Sequence, residues 1–278
     1  TDIGLQTGFR EFNELTGGLR NGELAILAGR PSMGKTALAM NMVDHIVCET
    51  DKPALFVSLE MDQLELADRM LAGRAKVNGL KIRNGQITPD EQTRLIKASS
   101  ELSKSPLFID DTPSRSMTEI SATARRLKHR RGGLSLVVID YLQLIEPDNS
   151  SDPRQEQVAR IARRLKGLAR EVQVPVLCLA QLNRQAEATK DNRPRLSHLR
   201  ESGAIEQDAD LVMFIHREEY YHSPEEIESL EIAGKADLMI AKHRNGPTGD
   251  VKLRWQKDFT RFEDDIPDYQ QIDDAFFD

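Results

Sequence analysis

A chain of 278 residues, 39% hydrophobic and 30% charged, holds enough material for one large α/β domain with a full core. Its net charge of −7 at pH 7 excludes a protein coated in nucleic acid, but leaves room for a local basic channel. There is no apolar run long enough to cross a bilayer, no signal-peptide core between Thr1 and Phe12, and only two cysteines, so neither a helical membrane protein nor a disulfide framework is expected.

Cys48 falls late in a helical pattern and Cys178 inside an apolar run, so both read as buried free thiols, in keeping with a reducing, cytoplasmic setting. No linker-like break or fixed-period repeat divides the chain, and residues 1–278 are expected to form one unit. Because the first residue is Thr, a processed chain or an excised domain is expected.

Phe9, Phe12 and Leu15 mark a short helical turn ended by Gly17-Gly18. Glu23 to Ala28 reads as a buried strand, and Ala37 to Met40 with Met42, Val43 and Ile46 as a helix. Between them Gly29-Arg30-Pro31-Ser32-Met33-Gly34-Lys35-Thr36 fits the phosphate-binding pattern G-x-x-x-x-G-K-[ST]. Glycines let the backbone wrap phosphate oxygens, and the helix start presents free N–H groups to the anion. Lys35 is placed to reach the β- and γ-phosphates and the Thr36 hydroxyl to ligate Mg²⁺. A nucleoside triphosphate is the implied ligand.

Ala54 to Leu59 reads as a central parallel strand that delivers Glu60 to its carboxyl end, the edge where ligands sit in open α/β sheets. Glu60 is thus either a catalytic group or an acid at the start of the next helix, Leu64 to Leu71. Thr88-Pro89-Asp90-Glu91 and Ser116-Met117-Thr118-Glu119 each fit a capping box and open helices on either side of a short strand at Leu107 to Ile109. The basic end of the second, Arg125 to Arg131, reads as a solvated helix terminus. Leu134 to Asp140 is a β-branched strand ending in the acid that a nucleotide site needs beside Mg²⁺.

Glu156 to Val172 has helical spacing, and Val174 to Leu179 is a further buried strand with Gln181 beyond its end. Gln181 reads equally as a γ-phosphate sensor or as a loop amide. From Asn183 to Gly203 the chain turns polar, and Arg184, Lys190, Arg193, Arg195 and Arg200 suit contacts to phosphates rather than base stacking. Leu211 to Ile215 is another strand, Glu218 to Glu231 an acidic exposed excursion, and Asp237 to Ala241 with Val251 to Trp255 an antiparallel hairpin. By the period of two, Leu238, Ile240, Lys242 and Arg244 share one strand face, and both cations project from the hairpin's end. That spacing fits a solvated strand end as well as a catalytic pair. The acidic tail from Asp264 to Asp278 is expected to be mobile.

Taken together, Gly29 to Thr36, Ser58 to Met61, Val138 to Leu144, Gln181 to Arg184, Leu199 to Asp210 and Lys242 to Gly246 resemble the C-terminal motor domain of DnaB-type replicative helicases, from about Thr7 to about Glu263. The resemblance implies a RecA-like fold and an ATP-driven 5′→3′ DNA helicase motor. It implies that Gly29, Arg30, Pro31, Ser32, Met33, Gly34, Lys35, Thr36 and Ala37 wrap the nucleotide, that Arg69 lies against it, and that Thr36 and Asp140 hold Mg²⁺. Glu60 would activate the attacking water, and Gln181 would couple the γ-phosphate to the DNA-facing loops. Arg200, Glu201 and Gly203 would touch the backbone of single-stranded DNA, and Arg244 with Lys242 would complete a neighbouring subunit's active site. The implied partners are single-stranded and forked DNA, further copies of the chain in a hexameric ring, and a helicase loader within bacterial or phage replication machinery. Family members carry an N-terminal domain and a linker helix before this region. Both are expected to be missing here, and primase to need that domain. The competing readings are a RecA-type recombinase and a non-motor ATPase of the same fold.

Overall fold

The computed structural model describes residues 3–184 and 190–265, with the side chains of residues 200–202 outside the described set. The elements in order are α1 (Arg10–Thr16), β1 (Leu24–Gly29), α2 (Lys35–Asp44), β2 (Ala54–Ser58), α3 (Gln63–Ala75), α4 (Gly79–Arg83) and α5 (Pro89–Lys104). There follow β3 (Leu107–Asp110), α6 (Met117–Lys128), β4 (Leu136–Asp140), α7 (Arg154–Val172), β5 (Val176–Gln181), α8 (Gly203–Asp208) and β6 (Leu211–His216). α9 (Pro224–Leu230), β7 (Lys235–His243), β8 (Gly249–Gln256) and β9 (Arg261–Asp264) complete the set.

Among the described residues nine strands form one sheet in the order β3-β2-β4-β5-β1-β6-β7-β8-β9. The pairs from β3 through β6 run parallel, and β7, β8 and β9 add on antiparallel. Strands buried on both faces must be apolar throughout, which is why β1, β4 and β5 read as continuous runs rather than alternating ones. The alternation survives as a choice between two cores. Ala25 and Leu27 face one with Phe12, Leu38, Met42 and Leu66. Leu24, Ile26 and Ala28 face the other with Ile120, Val158, Leu165 and Ile205.

Several expectations are met with shifted boundaries, and some are corrected. β2 has only β3 outside it, so it is not central. Gln181 is the last residue of β5 rather than a residue beyond it. Both predicted capping boxes form, and a third, at Ser223 and Glu226, starts α9 inside the acidic excursion. The polar stretch after Asn183 is not loop throughout, because Leu196–Ser202 form a 3₁₀ helix that runs directly into α8. β9 was hidden from sequence by its length and by its charged ends. Cys178 is buried as expected, whereas Cys48 lies in a π-turn (His45–Glu49) and is only partly buried. The predicted mobile tail falls, from residue 266 on, outside the described residues.

The period of two fails in β7. Val212 pairs with Lys242 but Met213 pairs with Ile240, so Ala241 is an extra residue and the strand bulges. Leu238 and Ile240 point into the first core, while Lys242 is turned to the opposite face, against α8.

Leu165 lies fully buried in the second core, on the apolar face of α7. Leu165→Ala is expected to cost about 2–5 kcal/mol. Urea unfolding measures it, and an unchanged midpoint would contradict this account of the core.

Candidate functional site

The carboxyl ends of β1, β2, β4 and β5 converge on one crevice. At the end of β1, an added Cβ on Gly29 would stand 3.0 Å from Ile215 Cγ2. The loop then turns through Ser32 at φ 70° and Gly34 at φ 94°, and α2 begins at Lys35. A Cβ on Gly34 would meet the Phe262 ring at 2.8 Å, so backbone conformation and space both demand glycine there. Pro31 and Ser32 are exposed, whereas the Met33 and Ala37 side chains are buried in the core, which leaves their backbone as the part available to a ligand. Arg30 donates to the Leu182 carbonyl at 2.8 Å and so anchors the loop to the end of β5.

Lys35 and Asp140 are both nearly buried, at 8% and 1% exposure. Thr36 Oγ1 donates to Asp140 Oδ2 at 2.8 Å, and Lys35 Nζ sits 4.8 Å from the centre of the Tyr141 ring. Burial lowers the Lys35 pKa, against the pull of Asp140 and Glu60. Burial likewise raises the Asp140 pKa, against its hydrogen bond from Thr36 and the charge of Lys35. Asp140 Oδ1 is buried without a hydrogen-bond partner.

That orphaned oxygen beside a hydroxyl fits Mg²⁺, which takes hard oxygen donors, keeps several waters and needs only one or two protein ligands plus phosphate. Among the described residues no group of three or more His, Cys, Asp or Glu could hold a metal on its own.

Glu60 is exposed just past β2. Leu59 N–H donates to the Asp140 carbonyl at 2.9 Å, which ties the two strand ends together, and the Glu60 charge acts on Lys35, Asp140 and Tyr141. α3 is capped by Asp62, whose side chain accepts from Glu65 N–H at 2.8 Å, so the capping role considered for Glu60 is already filled. Arg69, on α3, pairs with Glu65 at 3.0 Å, and its charge also reaches Asp140.

Gln181 is held by its backbone. Gln143 Nε2 donates to its carbonyl at 3.0 Å, and Gln143 Oε1 accepts from its N–H at 3.1 Å. Spacing did not reveal Gln143, Tyr141 or Arg217 as contributors. Arg217, just beyond β6, donates to the Ser32 carbonyl at 3.0 Å and stacks on Trp255 at 4.6 Å. Only its position after a buried strand could have signalled this.

Two groups of predicted residues stand apart from this account of the crevice. Gly203 is exposed at the start of α8, and the side chains of Arg200 and Glu201 lie outside the described set. Arg193 bridges Asp237 and Asp250 on the hairpin, at 3.1 and 3.3 Å, and Arg195 pairs with Asp191, so neither is held ready for phosphates. Lys242 Nζ donates to the Glu206 carbonyl, and Arg244 pairs with Asp210 at 3.0 Å. Asp210 N–H donates to the carbonyl of Leu24, the first residue of β1, so this cluster lies at the opposite end of the sheet from the loop. At about 3.3 Å per residue, the strand separates them by roughly 17 Å.

A cleft of about 820 Å³ elsewhere is lined by Arg74, Asp44, Glu49 and Glu101. There Arg74 meets Asp44 and Glu49, both at 2.9 Å, as well as Glu101, while Asp44 Oδ1 and Arg74 Nε are buried without a hydrogen-bond partner.

Residues 4–264 match the family model described as the DnaB-like helicase C terminal domain. Replicative DNA helicase DnaB of Geobacillus stearothermophilus is 43% identical over 260 residues, covering 93% of this chain and 56% of that protein. The DnaB of Leifsonia xyli is 44% identical over 264 residues, covering 95% and 56%. The chain therefore spans about half the length of the curated relatives it matches. A structure solved as an ATPase domain superposes with a TM-score of 0.89 at 37% identity, covering 95% of this chain and 92% of that one. A DnaB-like replicative helicase, solved in a study of its interactions with primase, gives 0.88 at 36%, covering 95% and 62%. The RadB recombinase, at 17% identity and a TM-score of 0.59, covering 94% and 99%, shares the fold alone.

The raised Asp140 pKa makes a stability prediction. The native state holds this proton more tightly than the unfolded chain, so above the raised value ionisation costs native stability in full. Asp140→Asn is therefore expected to stabilise the nucleotide-free protein at pH 7, with the gain fading as pH falls through the raised value towards 3.8. Chemical denaturation across that range tests it; a variant less stable than wild type at pH 7 would contradict it.

Proposed function

The chain belongs to the DnaB-like helicase C-terminal domain family, and from that premise we propose that it is the ATP-driven motor of a replicative DNA helicase. One observation carries the reading. A phosphate loop with Lys35, Thr36 and Asp140 lies at one end of the sheet, and Lys242 with Arg244 lies at the other. The two halves of such an ATPase site cannot meet within one chain, but they can meet between neighbours in a ring of identical subunits.

In this reading Gly29 to Ala37 wrap the phosphates, Lys35 offsets β/γ charge, and Arg69 lies against the nucleotide. Glu60 takes the proton of the attacking water. Thr36 and Asp140 would hold Mg²⁺, which would draw charge from the phosphates. Gln181, held by its backbone, carries the state of the γ-phosphate towards the DNA-facing segment. Arg200, Glu201 and Gly203 grip the backbone of single-stranded DNA without reading bases. Arg244 serves the neighbouring subunit as an arginine finger beside Lys242. A guanidinium suits that task because it stays charged and meets two phosphate oxygens at once. The ring is hexameric, and movement is 5′→3′. The recombinase alternative rests on likeness of fold alone.

Strand displacement on a forked duplex with a 5′ single-stranded tail is expected to require ATP, Mg²⁺ and Lys35. Displacement that proceeds only from a 3′ tail would reverse the polarity, and undiminished ATP hydrolysis by Lys35→Ala would remove the site assignment.

Arg244→Ala is expected to keep ATP binding and to lose about 10³–10⁵ in turnover. Mixing it with Lys35→Ala should restore activity wherever an intact loop meets an intact finger. No restoration, with subunit exchange demonstrated, would show that Arg244 does not act in trans.

A further inference from the structure

Arg244 does not hang free at the end of β7. Its Nη1 donates to Asp210 Oδ1 at 3.0 Å and its Nη2 to the Gln207 carbonyl at 2.8 Å, while its backbone N–H donates to the Asp210 carbonyl at 2.8 Å. Lys242 beside it holds the Glu206 carbonyl. The side chain stays 42% exposed. With five N–H donors on the guanidinium and two used in these contacts, it retains donors for a phosphate.

Asp210 is 3% exposed and is a node for three donors. Its Oδ2 accepts from Leu24 N–H at 2.8 Å and from Lys166 Nζ at 2.6 Å, leaving Oδ1 for Arg244. Lys166 is itself braced on the Gly22 carbonyl at 2.9 Å. One buried carboxylate thus joins the first residue of β1, α7 and the hairpin. Glu206 and Gln207 belong to α8, which continues without a break from the 3₁₀ helix Leu196–Ser202.

We propose that Asp210 is a positioning residue for Arg244, forming with the α8 carbonyls a seat that fixes the finger's aim and makes it move with the segment carrying Arg200, Glu201 and Gly203. This rests on the in-trans reading of Arg244 and adds the group that orients it. The bulge at Ala241 is what turns Lys242 and Arg244 onto this seat, since unbroken alternation would point them at the other core. Engagement of DNA on the segment that leads into α8 therefore reaches the neighbour's nucleotide through backbone carbonyls and one carboxylate.

Asp210→Asn separates the seat from the fold. The amide oxygen serves the two donors of Leu24 and Lys166, which leaves its NH₂ facing a guanidinium that can only donate. The finger is unseated while β6 stays anchored. The expected result is a DNA-stimulated kcat lower by about 10²-fold, the scale of a 1 Å misplacement, with KM for ATP unchanged. Mixing Asp210→Asn with Lys35→Ala should restore activity, and mixing it with Arg244→Ala should not. Wild-type kcat in the folded variant overturns the proposal, as does a raised KM at unchanged kcat. So does a failure of Lys35→Ala to rescue Asp210→Asn where it does rescue Arg244→Ala. If neither is rescued, the in-trans reading fails and the proposal goes with it. Should Asp210→Asn not fold, Asp210→Glu keeps the charge facing Lys166 but shifts the carboxylate by one methylene, and wild-type kcat there is equally decisive.

Discussion

The structure depends on keeping Lys35 and Asp140 almost out of water at the carboxyl edge of a parallel sheet. Each charge is disfavoured by burial and partly compensated by the other; the Thr36 hydroxyl also donates to Asp140, and the Tyr141 ring lies under Lys35. Such a pair is a poor source of stability, because desolvation consumes most of what attraction returns. What the site stores instead is unmet capacity: a carboxylate oxygen with no donor and a lysine whose charge is under-solvated. In the proposed function a phosphate and a cation supply what both lack.

The stability that supports this comes from the two cores. β1 is buried on both faces, with alternate residues committed to opposite sides of the sheet. That commitment holds Gly29 and Gln181 side by side as register partners. The Gln143 amide then grips both backbone groups of Gln181, and Leu182 N–H donates to the Gly29 carbonyl at 3.0 Å. The loop is thus tied to the next strand by hydrogen bonds as well as by Met33, which is buried in the same core as Leu177 and Leu179.

The same sheet also acts as a separator. Its carboxyl edge carries the phosphate loop, and its amino edge carries Asp210 with Arg244. A strand of six residues is rigid over that length, so Arg244 cannot approach the loop of its own chain. The proposed motor therefore places catalysis between copies rather than within one.

Much of this was legible in the residues themselves. The glycines of the loop, the capping boxes at Thr88 and Ser116 and the apolar runs of β1, β4 and β5 are encoded within a few neighbours, because backbone conformation and helix-end hydrogen bonds are local matters. Those signals identified the α/β class, the loop, and Asp140 as the acid at a strand end. Other features exist only between segments far apart in the chain. The Gln143 grip on Gln181 spans 38 residues, and the Arg244 contact with Asp210 spans 34. The bulge that reverses Lys242 depends on how Val212 and Met213 pair with β7, and a period-of-two reading of β7 alone points its cations the wrong way. The sequence determined by itself the glycine-rich loop and the acid that ends β4, since each is written in consecutive residues. Only the tertiary structure decided which face the cations occupy and what holds them, because both are set by partners that chain folding brings together.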